Sequence, residues 1–179
     1  MRPFVVCAIA ILCASCLGHG QDAHEPGDAL GTFHVSGALS ADTCQAAVLG
    51  VTPSWEFDVK LSRQGDTIYW LNGQEAIPGA IESDGKTFSF ASGVEVPIEA
   101  GKGSLPGCTV LRSDAANGVL SSKSDDVKSF SVQMTFGYSV KSGSQCADVV
   151  GVEGGFTALP CNVGYGLNAS RTVAPARPE

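Results

Sequence analysis

A chain of 179 residues, 44% hydrophobic, has room for one folded domain of ordinary size and is too apolar to be disordered. Its net charge of −7 and eleven scattered basic residues exclude a nucleic-acid surface, where lysine and arginine must cluster to neutralise phosphate. Twenty-two glycines and only 16% charged residues suit a β-rich fold with many turns.

Arg2 is followed by an apolar run, Phe4 to Ala14. That run is too short for a spanning helix, which needs ~20 apolar residues. Cys13-Ala14-Ser15-Cys16 comes next. Two small residues directly before a cysteine resemble the lipobox of bacterial lipoproteins, with Cys13 standing where that pattern prefers leucine. The resemblance implies that residues 1–15 are a signal peptide and that Cys16 is acylated, becomes the mature N-terminus and ties the protein to a membrane. Leu17 occupies the place of the aspartate that retains such proteins at the inner membrane of enteric bacteria, which implies the outer membrane. Secretion without lipid, into the periplasm or beyond, is the alternative.

Cys7 and Cys13 leave with the leader, so lipid on Cys16 would leave Cys44, Cys108, Cys146 and Cys161. An even set in an oxidising compartment predicts two disulfides. Four cysteines allow three connectivities, so spacing alone does not decide the pairing. Proximity favours Cys146 with Cys161, closing a loop between adjacent strands, and leaves Cys44 for Cys108.

Residues 16–31 read as a lipidated N-terminus and flexible tether, polar and without apolar period. His19, Asp22, His24 and Glu25 lie there, but a flexible tail must pay ordering entropy to hold a metal; no metal or cofactor is expected. A single β domain spans residues 32–171. Phe33 and Val35 share a face in the first strand. Residues 41–49 offer a helical turn or two capped by Ser40. From Trp55 to Leu61 apolar and charged residues alternate, the mark of a strand with one face in a core and one in water. Gln64-Gly65-Asp66 turns the chain into residues 67–71. Pro78 and Gly79 interrupt a weak strand, so it is bulged or lies at an edge. Asp84-Gly85 is a hairpin signal before Phe88 and Phe90, and Val94, Val96 and Ile98 continue the alternation. Two shorter strands, 109–112 and 119–121, flank an Asn117-Gly118 turn. Ser129–Val140 alternates most regularly, with Phe130, Val132, Met134, Phe136, Tyr138 and Val140 on one face and uncharged polar or small residues on the other. A loop from 141 to 160 leads to a last strand with Val163, Tyr165, Leu167 and Ala169 on one face. Residues 172–179 are a frayed tail.

Eight to ten strands joined by tight turns predict an all-β antiparallel meander. Short connections favour an up-and-down, lipocalin-like barrel over a sandwich, and a barrel of ~8 strands is either filled by side chains or holds one small ligand. Trp55, Phe57, Trp70, Phe88 and Phe90 are candidate lining residues for an apolar ligand. Phe130, Phe136, Tyr138 and Tyr165 complete that set. Lipocalins also carry a tryptophan on an early strand, within Gly-x-Trp; Pro53-Ser54-Trp55 lacks the glycine, so the similarity is one of fold.

No catalytic constellation emerges. Ser83 to Lys86 has the Ser-x-x-Lys spacing of penicillin-interacting enzymes, but Asp84-Gly85 makes a hairpin turn where those enzymes need a helix start. Glu56 and Asp58 share the watery face of their strand beside Lys60. Asp125, Asp126 and Asp148 lack calcium-loop spacing. The sequence therefore points to a lipid-anchored, non-catalytic envelope domain that binds a partner or serves structure. A carrier of a small apolar ligand is the alternative, and an enzyme of unrecognised class comes third.

Overall fold

The computed structural model describes residues 26–173 except 72, 74, 105 and 154. The leader, Cys16, most of the tether and the last six residues lie outside the described residues. Among the described residues eight strands build the fold. They are β1 (Asp28–Asp42), β2 (Ser54–Gln64), β3 (Thr67–Leu71), β4 (Ala76–Ile81), β5 (Thr87–Glu99), β6 (Cys108–Leu120), β7 (Ser129–Val140) and β8 (Cys161–Val173). Each pairs antiparallel with the next, and β8 pairs back onto β1 to close an up-and-down barrel. Closure removes the open sheet edges that a flat meander would expose.

The period-2 patterns decide which face turns inward. On β7, Phe130 and Val132 are buried, while Ser131, Gln133 and Thr135 stand in water on the outer wall. On β2, Val59 and Leu61 are buried, whereas Glu56, Asp58 and Lys60 are exposed. His34 is also outside, its Nδ1 2.9 Å from Asp58 across the β1–β2 ladder.

Several boundaries differ from the sequence expectation. The barrel starts at Asp28, inside the expected tether, because Leu30 is buried and a bulge between Ala29 and Gly31 adjusts the register. At the other end β8 runs to Val173, and the Thr172 hydroxyl donates to the Thr32 carbonyl at 3.2 Å. Asn117-Gly118 is no turn: both lie within β6, a single strand. A Cβ on Gly118 would run into the Phe88 ring and the Ser131 carbonyl, so the glycine serves close packing. Residues 41–49 do not form the expected capped helix. β1 continues through Ser40 to Asp42, whose Oδ1 accepts the N–H groups of Cys44 and Gln45, and only Ala47–Leu49 makes a 3-10 turn.

The disulfides are Cys44–Cys161 and Cys108–Cys146, not the pairing that chain proximity favours. Closure sets Asp42 of β1 opposite Val163 of β8, so Cys44 meets Cys161. The chain leaving β7 folds back on β6 instead of β8: Lys141 N–H donates to the Thr109 carbonyl at 3.0 Å and Gln145 N–H to Gly107 at 3.1 Å. That delivers Cys146 to Cys108, with β7 standing between it and Cys161. Two disulfides mark an oxidising compartment outside the cytoplasm.

The β4–β5 turn carries its own pH dependence. Asp84 accepts the Thr87 hydroxyl at 2.6 Å and the N–H groups of Lys86 and Thr87 at 2.8 Å each. These donors, the Thr87 hydroxyl foremost, lower its pKa from 3.8 to about 2. The folded state thus binds this proton more weakly than the unfolded chain. The turn's contribution is whole above about pH 4 and fades as pH falls toward about 2. Asp84→Asn is expected to be less stable than wild type near neutral pH, with the gap closing in acid. Urea unfolding across that range checks it, and a deficit independent of pH contradicts it.

Candidate ligand-binding site

The two ends of the barrel are built differently. The connections at residues 65–66, 82–86 and 121–128 close one end. Phe33, Leu61, Ile68, Phe88 and Leu120 are sealed from solvent there, and Val127 enters from the β6–β7 connection as a plug. The Phe130 ring lies 5.2 Å from Phe33 and 6.0 Å from both Phe88 and Trp70. Edge-to-face packing of this kind fills space without voids. The same connection is tied to β8 by Arg171 Nη2 donating to Asp126 at 2.8 Å, which holds the Asp126 carboxyl below its usual range.

The other end is open. Two clefts meet at Trp55, Arg112 and Phe136. One, a side lobe of about 300 Å³, is walled mainly by Trp55, Trp70, Phe90, Met134 and Phe136. It reaches Ile77 of β4 and Ala91 and Ser92 of β5, where the wall is thinnest. β4 and β5 pair only at Ala80–Ser89 and Ile81–Phe88, whereas β5 follows β6 along nearly its whole length. Beyond Phe90, β5 has no partner on its β4 side among the described residues. The second, a loop lobe of about 350 Å³, lies beneath residues 49–52 and is bordered by Tyr138, Val163 and Tyr165. Tyr165 Oη donates to the Thr52 carbonyl at 3.0 Å and fixes that loop. Both disulfides sit at this end and hold residues 43–53, 141–153 and 155–160 around the opening. Thr157 N–H donates to the Cys44 carbonyl at 2.9 Å, joining the two loops, and Phe156 is buried beneath them.

The mouth also contains a charged pair. Arg112 and Asp114 are two apart on β6 and therefore share its inner face. Arg112 Nε and Nη2 donate to the two Asp114 oxygens at 2.7 and 2.8 Å, a bidentate pair about one-third exposed. The guanidinium lies 4.7 Å from the centre of the Phe136 ring, a cation–π contact. Opposite Arg112 in the ladder stands Tyr138, whose phenol is pushed up in pKa by burial.

Six of the nine aromatic candidates border the clefts: Trp55, Trp70, Phe90, Phe136, Tyr138 and Tyr165. Phe88 and Phe130 belong to the sealed half. Phe57 supports the wall, its ring 4.7 Å from Trp55 and 5.9 Å from Trp70. Arg112 and Asp114 were not among the sequence candidates. A signal existed in the inward series Cys108, Val110, Arg112, Asp114, Ala116, Gly118 and Leu120, and reading Asn117-Gly118 as a turn broke it. Comparison of the chain with family models, curated proteins and solved structures finds no match.

Proposed function

We propose that this protein binds a small, largely apolar ligand in the open mouth of its barrel, without catalysing a reaction on it. The carrying observation is the contrast between the two ends: one packed solid, the other a cleft of several hundred Å³ walled by aromatic rings with a few polar groups. A barrel serving structure alone would gain stability by filling that space. The charged groups in the mouth neutralise each other, and His34 faces outward on the opposite surface of β1, an arrangement suited to recognition. The lipobox-like Cys13-Ala14-Ser15-Cys16 supports an anchor on the outer membrane through lipid on Cys16, with the barrel displayed in the envelope.

Native mass spectrometry of the protein recovered from its own envelope tests both parts. The expected spectrum shows acyl mass at the N-terminus and a non-covalent small molecule that dissociates on activation. Cys16→Ala should lose the acyl mass and keep the small molecule. An acyl-free wild type refutes the anchor, and a ligand-free one refutes the binding role.

A further inference from the structure

The polar groups of the mouth say what kind of ligand suits it, on the reading that it binds one. Arg112 spends Nε and Nη2 on Asp114, leaving Nη1 without a hydrogen-bond partner among the described residues. Tyr138, directly across the β6–β7 ladder, has no hydrogen-bond partner for its hydroxyl among the described residues. Its ring is held 5.9 Å from that of Phe156, in the β7–β8 loop. Both residues border the loop lobe, which no carboxylate lines among the described residues, whereas Asp114 borders the side lobe, which Arg112 also reaches. The loop lobe is therefore bordered by two donor-bearing side chains, one of which, Arg112, stands where the lobes join, and the side lobe is walled mainly by aromatic rings.

Two donors call for an acceptor, and the charge balance says which kind. Arg112 is already matched by Asp114. A ligand carboxylate at Nη1 would come close to a like charge in a partly desolvated mouth. A ligand cation would meet the guanidinium. We propose that the mouth selects a neutral apolar molecule bearing one carbonyl-type acceptor. That acceptor is received by Arg112 Nη1 and Tyr138 Oη, and the apolar body is held among Trp70, Phe90 and Met134.

Trp55 and Trp70 border the cleft, so their fluorescence reports occupancy. The test titrates the oxidised full chain with dodecanamide, dodecanoate and dodecylammonium, probes that differ only in the head. Dodecanamide is expected to bind about tenfold or more tightly than either charged probe. Tyr138→Phe should weaken the amide roughly two- to tenfold. Asp114→Asn strips Arg112 of its counter-charge and should reverse the order, so that dodecanoate binds best. Tighter binding of dodecanoate than of the amide by wild type overturns the neutral-ligand assignment, as does an unchanged order in folded Asp114→Asn. The wild-type order decides alone if that variant does not fold. Saturation by none of the three also overturns this assignment. The binding role beneath it falls separately, on envelope-derived protein that carries no small molecule.

Discussion

Phe88→Ala is expected to destabilise the barrel by about 3–5 kcal/mol, the upper part of the range for single core truncations. Phe88 is 0% exposed at the closed end, with ring centres of Phe90 and Phe130 at 5.7 and 6.0 Å. Gly118 lies across the β5–β6 ladder, close enough for a Cβ there to strike the Phe88 ring. Removing the ring leaves a void that its neighbours cannot fill, because Gly118 has no side chain and both aromatic rings are held by further contacts. Lost transfer energy and the unfilled cavity then add. In urea the midpoint should fall at unchanged slope, and the melting temperature by about 10 °C. Phe136→Ala is the comparison: its ring borders open cleft, so its loss should cost less than half as much. Equal losses at the two positions would mean that the closed end is not the solid core described above.

Removing the disulfides should cost about as much, in a set order. The Cys44–Cys161 bridge spans 117 residues and Cys108–Cys146 spans 38. In the chain-entropy treatment their loss corresponds to about 5 and about 4 kcal/mol, within the range seen for native bridges. The first bridge crosses the β1–β8 seam, where the barrel closes on itself, and its absence frees the two ends of the chain in the unfolded state. Urea unfolding of Cys44→Ser/Cys161→Ser and Cys108→Ser/Cys146→Ser measures both. The reverse order of stability contradicts the expectation. A peptide map showing Cys146 bonded to Cys161 contradicts the topology itself, since β7 stands between them.

The sequence made the strands legible wherever the pattern was local. Ser129–Val140 is β7 without adjustment, because six apolar residues at every second position can share a face only on a strand. The charged residues of β2 likewise announced its outer surface. Legibility failed where a local signal had a non-local cause. Gly118 resembles a turn residue, yet it is small because a ring from β5 lies over it. Leu30 looks like part of a tether, yet it is buried where β1 runs back along β2 to Asp28. Arg112 and Asp114 appeared to belong to a strand end and a loop, and only the continuous β6 turned both into the barrel.

The antiparallel meander and the inward apolar faces were determined by the sequence alone, since composition and period-2 alternation are properties of neighbouring residues. The tertiary structure decided which cysteines meet, which end of the barrel is filled and which aromatic rings border the cleft. Each of those depends on β8 closing against β1 and on the chain after β7 folding back onto β6. Contacts between residues 38 and 117 positions apart leave no periodic trace along the chain.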